Sequence, residues 1–454
     1  MKDLTEGNVT KQIFKFALPM LVGNVFQQAG QIINAAIVGR YIGADATAVV
    51  GASFYIIFAL IALVMGVGIG GTVIVSQYFG SKQFENVKRA SDTMLIFLTS
   101  AGAVIGIAGI IFSRPILKLT NIPDALLDDA QTYMNISMLG MFAMFGYNAV
   151  SANLRGLGDS VRPLYFLVIA TALNLCLDLL FVVVFGWKIK GVAWATFIAF
   201  FISFVLSVIY LNKTHPVLKF SFATMIFDRK IFSKALKIGL PSGMQQTFVA
   251  LGGVALVTVV NSMGVEIMAA YTVAGRIDSF ISLPAMNFSA ALSAFAGQNI
   301  AAGKYNRIRS GLLSTLTMSG AVCLSSMAIV FAWSENIMQI FVKSTEPGYD
   351  IIINTGIEYL VIVCSFYIIF SSMFVINGLL RGAGATLIPM FITLFSLWLI
   401  RLPVAYLLSN HTDMGATGIW WSIPTGWIIG FSGALIYYLS GKWKGKSVVD
   451  IIDN

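Results

Sequence analysis

An asparagine followed four residues later by an aspartate, Asn174 and Asp178, lies inside an otherwise apolar stretch of this chain. On a helix, side chains four apart share a face. An ionisable group in hydrocarbon costs roughly 2.5–3.5 kcal/mol at a helix centre, so its presence there calls for a reason. Counted from Pro163, Asp178 lies roughly 22 Å along its helix, and Thr196, counted from Lys190, lies about 9 Å from the other end of the next one. Those depths nearly coincide. A carboxylate, an amide oxygen and a hydroxyl at one level are hard-oxygen ligands suited to Na⁺, or a cage around one carboxyl that carries a proton. The structural alternative is a buried aspartate satisfied by Asn174 and the backbone.

A second set of intramembrane charges lies later in the chain: Arg276, Asp278 and Arg401. Asp278 falls about 18 Å from the end of its stretch marked by Glu266, and Arg401 about 20 Å from the opposite face, an offset that long side chains bridge. We expect Asp278 and Arg401 to pair. The pair is either purely structural, since breaking it strands a charge, or part of a coupling or gating network. Other signals point away from chemistry. Gly66-x-Gly68-x-x-Gly71 has the dinucleotide-binding spacing but lies within an apolar stretch, where small residues serve helix packing. Gly445-Lys446-Ser447 lacks the upstream glycine of a phosphate loop. Cys176, Cys323 and Cys364 have no metal-ligand spacing and read as small buried apolar residues. His215 and His411 fall at opposite loop ends and share no site. No structural metal and no cofactor is expected.

The elements that position these residues are transmembrane helices. Of the 454 residues, 57% are apolar and 11% charged, less than half the roughly 25% charge of a soluble domain. Apolar stretches of bilayer-spanning length recur from end to end, and their aliphatic-rich interiors fit helices better than barrel strands. We place twelve spans near 15–39, 46–78, 93–112, 131–153, 163–186, 190–211, 236–262, 266–297, 312–332, 352–378, 388–409 and 416–440, an all-α polytopic membrane protein. The net charge of +9 belongs to the loops and implies no nucleic-acid partner. With these spans, 21 of the 29 basic residues fall on the side of the N-terminus, which puts both termini in the cytoplasm. Met1 to Lys15 is polar and mixed in charge, so no cleavable signal is expected ahead of the first span.

The chain also resembles itself at a spacing of about 220 residues, the mark of an internal repeat. Leu18-Pro19 and Gln27-Gln28 answer Leu240-Pro241 and Gln245-Gln246, and Gln77 with Lys82-Gln83-Phe84 answers Gln298 with Gly303-Lys304-Tyr305. Leu154-Arg155-Gly156-Leu157-Gly158 answers Leu380-Arg381-Gly382-Ala383-Gly384, Pro163 answers Pro389, and Gly191-Val192-Ala193-Trp194 answers Gly418-Ile419-Trp420-Trp421. The repeat predicts two six-helix lobes of the same orientation related by pseudo-symmetry: an N-lobe over 1–212, a linker over 213–232, a C-lobe over 233–441 and a tail over 442–454.

These lobes, the Leu-Pro…Gln-Gln starts, the paired Arg-Gly-x-Gly loops and the stretch Ala270-Tyr271-Thr272-Val273-Ala274-Gly275-Arg276-Ile277-Asp278 with Gly297-Gln298-Asn299-Ile300 resemble the multidrug and toxic compound extrusion family. The resemblance implies export of amphipathic, often cationic, organic compounds in exchange for H⁺ or Na⁺ across a bacterial inner membrane, by a monomer that meets only its small substrate and lipid. It implies an N-lobe cation or proton site at Asp178, Asn174 and Thr196, with Na⁺ possible there. Relatives commonly carry Asp where this chain has Asn34, so one of two carboxylates is missing and the balance shifts toward a proton. The family's C-lobe site places a Glu in span seven and an Asp in span ten; here span seven has no acid and span ten only Glu358. A lipid-linked-sugar flippase of the same superfamily is the alternative, and it would need a cavity richer in cations than Arg276 and Arg401 make it. No His/Asp/Glu/Ser constellation suggests an enzyme. Single cysteines at Lys82, Lys230 and Lys304, in a background without the native cysteines, should react with an impermeant thiol reagent only from the cytoplasmic face; reaction from outside at any of them overturns the orientation.

Overall fold

The structure is a computed structural model that describes residues 2–119, 122–214, 218–221 and 224–449. It is helical, with no strand among the described residues. In hydrocarbon an unpaired backbone amide has no water to turn to, so each crossing closes its own hydrogen bonds as a helix. The first half holds α1 (Val9–Tyr41), α2 (Ala44–Gly80), α3 (Phe84–Ile111), the short α4 (Ser113–Leu119), α5 (Asp124–Leu139), α6 (Met141–Gly156), α7 (Val161–Asp178) continued by a π-helical stretch Leu179–Val184, and α8 (Lys188–Thr214). The second holds α9 (Arg229–Asn261), α10 (Val265–Ala301), α11 (Tyr305–Gln339), α12 (Tyr349–Ser365), α13 (Tyr367–Gly382), α14 (Leu387–Leu394) with a π-helical stretch Phe395–Arg401 running into α15 (Leu402–Asn410), and α16 (Ala416–Leu439).

Counted as crossings, these make six per half, because α5–α6, α7 with its π stretch, α12–α13 and α14–α15 are each one interrupted span. By length and apolarity alone, eight described helices qualify, and the pair Tyr349–Ser365 and Tyr367–Gly382, bent by 50°, adds a ninth. The other three, α1, α2 and α5–α6, hold the places that α9, α10 and α12–α13 hold in the second half. Lengths agree closely: α1 and α9 have 33 residues each, α2 and α10 have 37. Most helices outrun the apolar cores expected for them, because their polar end turns stay helical; α1 begins at Val9, not near residue 15.

The repeat is also written in the turns. Each half leaves its second long helix through the same turn, where Lys82 N–H bonds Phe79 O and Gln83 N–H bonds Tyr78 O, matched by Gly303 to Ile300 and Lys304 to Asn299. The Arg-Gly-x-Gly loops close identically: Gly158 N–H to Arg155 O and Asp159 N–H to Leu154 O, then Gly384 to Arg381 and Ala385 to Leu380. Gly158 and Gly384 sit at φ 78° and 87°, a left-handed conformation that glycine adopts without penalty, which accounts for the second glycine of each motif. Lys188 at φ 49° answers Gly415 at φ 53°.

The chain divides into two compact units, Met1–Asp3 with Leu18–Gly243, and Leu4–Ala17 with Met244–Asn454. The dividing points therefore lie inside α1 and α9 and not in the 213–232 linker, of which 215–217 and with them His215 lie outside the described residues, as do 222–223 and, in the tail, 450–454. Both first helices are continuous through a proline, Pro19 and Pro241, so one long rod serves two cores. In unit 1 the beginning of α9 lies on α2 with backbone against backbone: a Cβ at Gly66 would stand 2.2 Å from Gly243 Cα and one at Gly70 2.4 Å from Ala235 O. The glycines of the Gly66 motif thus serve packing, although Gly71 meets Met94 of α3 instead. In unit 2 the segment leading into α1, together with its first turns, takes the matching role. Leu4 N–H donates to Gln298 Oε1 at 2.9 Å, Leu4 O accepts from Asn299 and Arg307, and Thr10 meets Ser314 at 2.8 Å. The linker's described part is pinned to unit 1 by Asn212, bonded both ways to Phe220, and by Thr93, which accepts from Asp228 N–H at 3.0 Å.

Overpacking such a seam costs about 1–3 kcal/mol. Gly66→Ala should lower the thermal midpoint of the detergent-solubilised protein, while Gly51→Ala, with nothing within 4 Å of its Cβ, should leave it unmoved. Equal midpoints for the two variants would contradict the packing described.

Candidate functional site

In unit 1, α1 and α7 run side by side in the same direction. A Cβ at Gly23 would meet Leu164 and Leu167 at 3.2 Å, and one at Gly30 would meet Thr171 at 2.4 Å. One turn beyond Gly30 on the same face comes Asn34, opposite Asn174 and Asp178. Asn34 Nδ2 donates to Asp178 Oδ2 at 2.7 Å and stands 3.4 Å from Asn174 Oδ1. Asn174 Nδ2 donates to Thr196 Oγ1 of α8 at 3.2 Å, and the Thr196 hydroxyl donates to Val192 O at 3.1 Å. All four residues expected at this site are together, three helices contribute, and Asp178 is the last α-helical residue before the π stretch. Such local widenings of a helix recur at functional sites.

Three carboxylates among the described residues are almost fully buried: Asp92, Asp159 and Asp178. Asp92 is paired with Lys88 at 2.5 Å and Asp159 with Arg162 at 3.3 Å. Asp178 is 0% exposed, has no cation beside it, and its Oδ1 has no hydrogen-bond partner at all. The polar side chains around it are turned so that N–H groups meet oxygens. Asn34 therefore does what a second carboxylate would not: it compensates Asp178 by donation. Tyr133 of α5, which bonds Ser137, also stands within electrostatic reach of Asp178; nothing in its sequence neighbourhood set it apart.

In unit 2 the second set is arranged differently from expectation. Tyr367, at the first residue of α13, donates its hydroxyl to Asp278 Oδ1. Arg401 interacts with Asp278 electrostatically, yet the two do not form the direct ion pair read from depth, and Arg401 Nε is buried without a partner. The phenol, not the guanidinium, makes the direct contact with the carboxylate. Arg276 is exposed and makes no contact with Asp278 or Arg401: two residues along a helix carry it nearly to the face opposite Asp278. Around Asp278 stand aromatic rings: Tyr271 lies parallel to Trp420 at 5.7 Å, and Tyr359 meets Trp420 edge-on at 5.1 Å. Tyr271 entered the sequence reading only within the stretch that carries the family resemblance and Tyr359 and Tyr367 not at all, since aromatic residues eight apart on one span look like packing. Glu358 accepts from Thr417 at 2.6 Å near the far end of its span. Cys323 and Cys364 are buried as expected, whereas Cys176 is on the outside of α7. No group of three metal-ligating side chains occurs among the described residues.

The sequence profile of the MatE family matches residues 19–180 and 241–407, one segment in each half. Two proteins of Bacillus subtilis strain 168 are similar over nearly the whole chain. "Probable multidrug resistance protein YpnP" is 31% identical, covering 98% of both chains, and "Probable multidrug resistance protein YoeA" is 30% identical, covering 99% of this chain and 97% of its own. The solved structure described as the outward-facing conformation of a multidrug resistance MATE family transporter has the same fold, with a TM-score of 0.90 over 98% of both chains at 21% identity.

The Asp278–Tyr367 contact has a measurable energy. A hydrogen bond to a charged group contributes about 1.5–3 kcal/mol. In a thermal-stability cycle of Asp278→Asn, Tyr367→Phe and the double variant, the coupling should fall in that range, and that of Asp278 with Arg401→Gln should be smaller. A larger coupling to Arg401 would restore the direct pair.

Proposed function

The chain belongs to the MatE family, the multidrug and toxic compound extrusion transporters, and on that premise we propose that it is a secondary antiporter that exports amphipathic, cationic organic compounds in exchange for protons. Its two six-helix halves alternate access to the substrate across the inner membrane, with both termini in the cytoplasm. The observation that carries the proton reading is the state of Asp178: fully buried, without a cation, one oxygen held by the Asn34 amide and the other free.

Sodium and a proton make different demands on such a site. A hard cation wants several oxygens turned toward one point. Here Asp178 Oδ2 and Thr196 Oγ1 already accept N–H donors from the two asparagines, and Asn174 Oδ1 faces Asn34 Nδ2 at 3.4 Å, while Asp178 Oδ1 accepts none. A proton needs one oxygen only. When Asp178 is charged, Asn34 compensates it; when Oδ1 takes a proton, the site is neutral and the same Asn34 bond persists. Alternation between these two states, one stable on each side of the membrane, is what couples the proton to the substrate. The flippase reading loses ground because Arg276 and Arg401 are the only two cations the sequence offers for a polyanionic headgroup within the spans, and Arg401 already stands within electrostatic range of Asp278.

In everted vesicles given separate pH and Na⁺ gradients, efflux of a fluorescent organic cation should follow the pH gradient. Asp178→Asn fixes the neutral state and should reduce gradient-driven transport to the level of protein-free vesicles while leaving the protein folded. Asn34→Asp supplies a second carboxylate and should add Na⁺ dependence. Wild-type transport rates in Asp178→Asn would remove this site from the coupling mechanism.

A further inference from the structure

Asp278 is a second carboxyl inside the membrane, and the groups around it are arranged in a way that a structural ion pair does not explain. If its function were only to neutralise Arg401, the guanidinium should lie on the carboxylate, since that contact offsets the desolvation of both. Instead the Tyr367 hydroxyl donates to Asp278 Oδ1, and Arg401 stays within electrostatic range with its Nε unpartnered. The groups facing Asp278 come from every neighbouring element. Tyr271 is on its own helix, Tyr359 and Cys364 are on α12, Tyr367 is on α13, and Arg401 ends the π stretch Phe395–Arg401. Arg401 is the one charged member among them. Tyr367 also hydrogen-bonds Cys364, and α16 contributes the fully buried Trp420 against Tyr271 and Tyr359.

We propose that unit 2 carries a second proton-binding site, the Asp278–Tyr367 pair beside Arg401, so that each exported cation is exchanged for two protons. The inference rests on the proton-antiport reading of Asp178 and adds a site to it. A phenol is the partner such a site needs. It donates to the charged carboxylate at Oδ1, and when a proton from water enters on Oδ2 the same phenol O–H still donates to Oδ1. The contact survives both states with one proton gained. The charge of Arg401 is balanced while Asp278 is ionised and unbalanced once it is neutral. That change acts at the end of a π-helical stretch, where the backbone ladder is already irregular.

The test is stoichiometry in proteoliposomes, with ethidium as the probe. With the membrane potential clamped at zero and a tenfold ethidium gradient opposing export, flux should vanish at about 0.5 pH unit for two protons and about 1 unit for one. Wild type should null near 0.5 and Asp278→Asn near 1, its export continuing on the Asp178 proton alone. Exchange of two protons for one monovalent cation moves net charge, so an imposed potential should drive export in wild type and not in Asp278→Asn. Tyr367→Phe keeps the carboxyl and should keep the two-proton null while moving the pH profile of the rate. A wild-type null near 1 unit overturns the proposal even if Asp278→Asn does not fold, as does an unchanged null in Asp278→Asn. Loss of all pH-gradient drive in wild type would instead overturn the antiport reading itself.

Discussion

The free energy of removing a carboxylate from water governs this molecule more than any other single term. A carboxylate withdrawn from water must be neutralised, compensated by donors or paired, and Asp92, Asp159, Asp178 and the half-buried Asp278 are each answered differently. Asp92 has a lysine and Asp159 an arginine together with two backbone N–H donors. Asp178 has an asparagine amide, and Asp278 a phenol with an arginine held back. The first two are closed arrangements that fix charge in place. The latter two leave an atom unsatisfied, Asp178 Oδ1 in one case and Arg401 Nε in the other, and unsatisfied atoms in a buried network are where a change of state costs least. Much of the surrounding architecture serves to hold these acids at the right depth: glycines that let α1 approach α7, and a π stretch directly after Asp178.

The sequence made the architecture legible because its strongest signals are also its strongest physical constraints. Bilayer thickness sets the length of apolar runs, and a left-handed backbone position calls for glycine, so spans and repeated turns were visible at Gly158 and Gly384. The unit 1 site was legible for a similar reason. Asn174 and Asp178 are fixed on one helical face by their spacing, and Thr196 by depth. Unit 2 was not read as well. Depth along two helices placed Asp278 and Arg401 near one another but carried no information on azimuth, and azimuth decides whether a carboxylate meets a guanidinium or a phenol. Tyr367 opens α13 directly after the bend that separates it from α12, and a break within a span is nearly invisible in hydropathy. The same blindness to direction grouped Arg276 with Asp278, although two residues along a helix set the pair on nearly opposite faces.

The division into units shows a further limit of reading halves from repeats. The internal repeat is a property of sequence register, and it locates the boundary between copies at the linker. Packing does not respect that boundary. The first helix of each copy is long enough to belong to one core with its beginning and the other with its remainder, and the exchange is reciprocal, as the pseudo-symmetry requires. In unit 1 the seam is glycine on glycine between α2 and α9; in unit 2 the corresponding place is filled by a polar clasp of Gln298, Asn299 and Arg307 around the backbone of Leu4.

That exchange bears on how the protein is made. A ribosome delivers residues 4–17 first, yet the unit that receives them is not complete until the last helix has been inserted. Conversely, the unit holding residues 18–214 lacks a wall until the chain has been extended through Gly243. Neither half of the sequence supplies a whole unit, and residues 4–17, tethered by α1, join unit 2 only after helices up to α16 have followed. Unit 1 is therefore open until Gly243 has been made, and the start of α1 has no unit 2 to join until Met244 and the helices after it have followed.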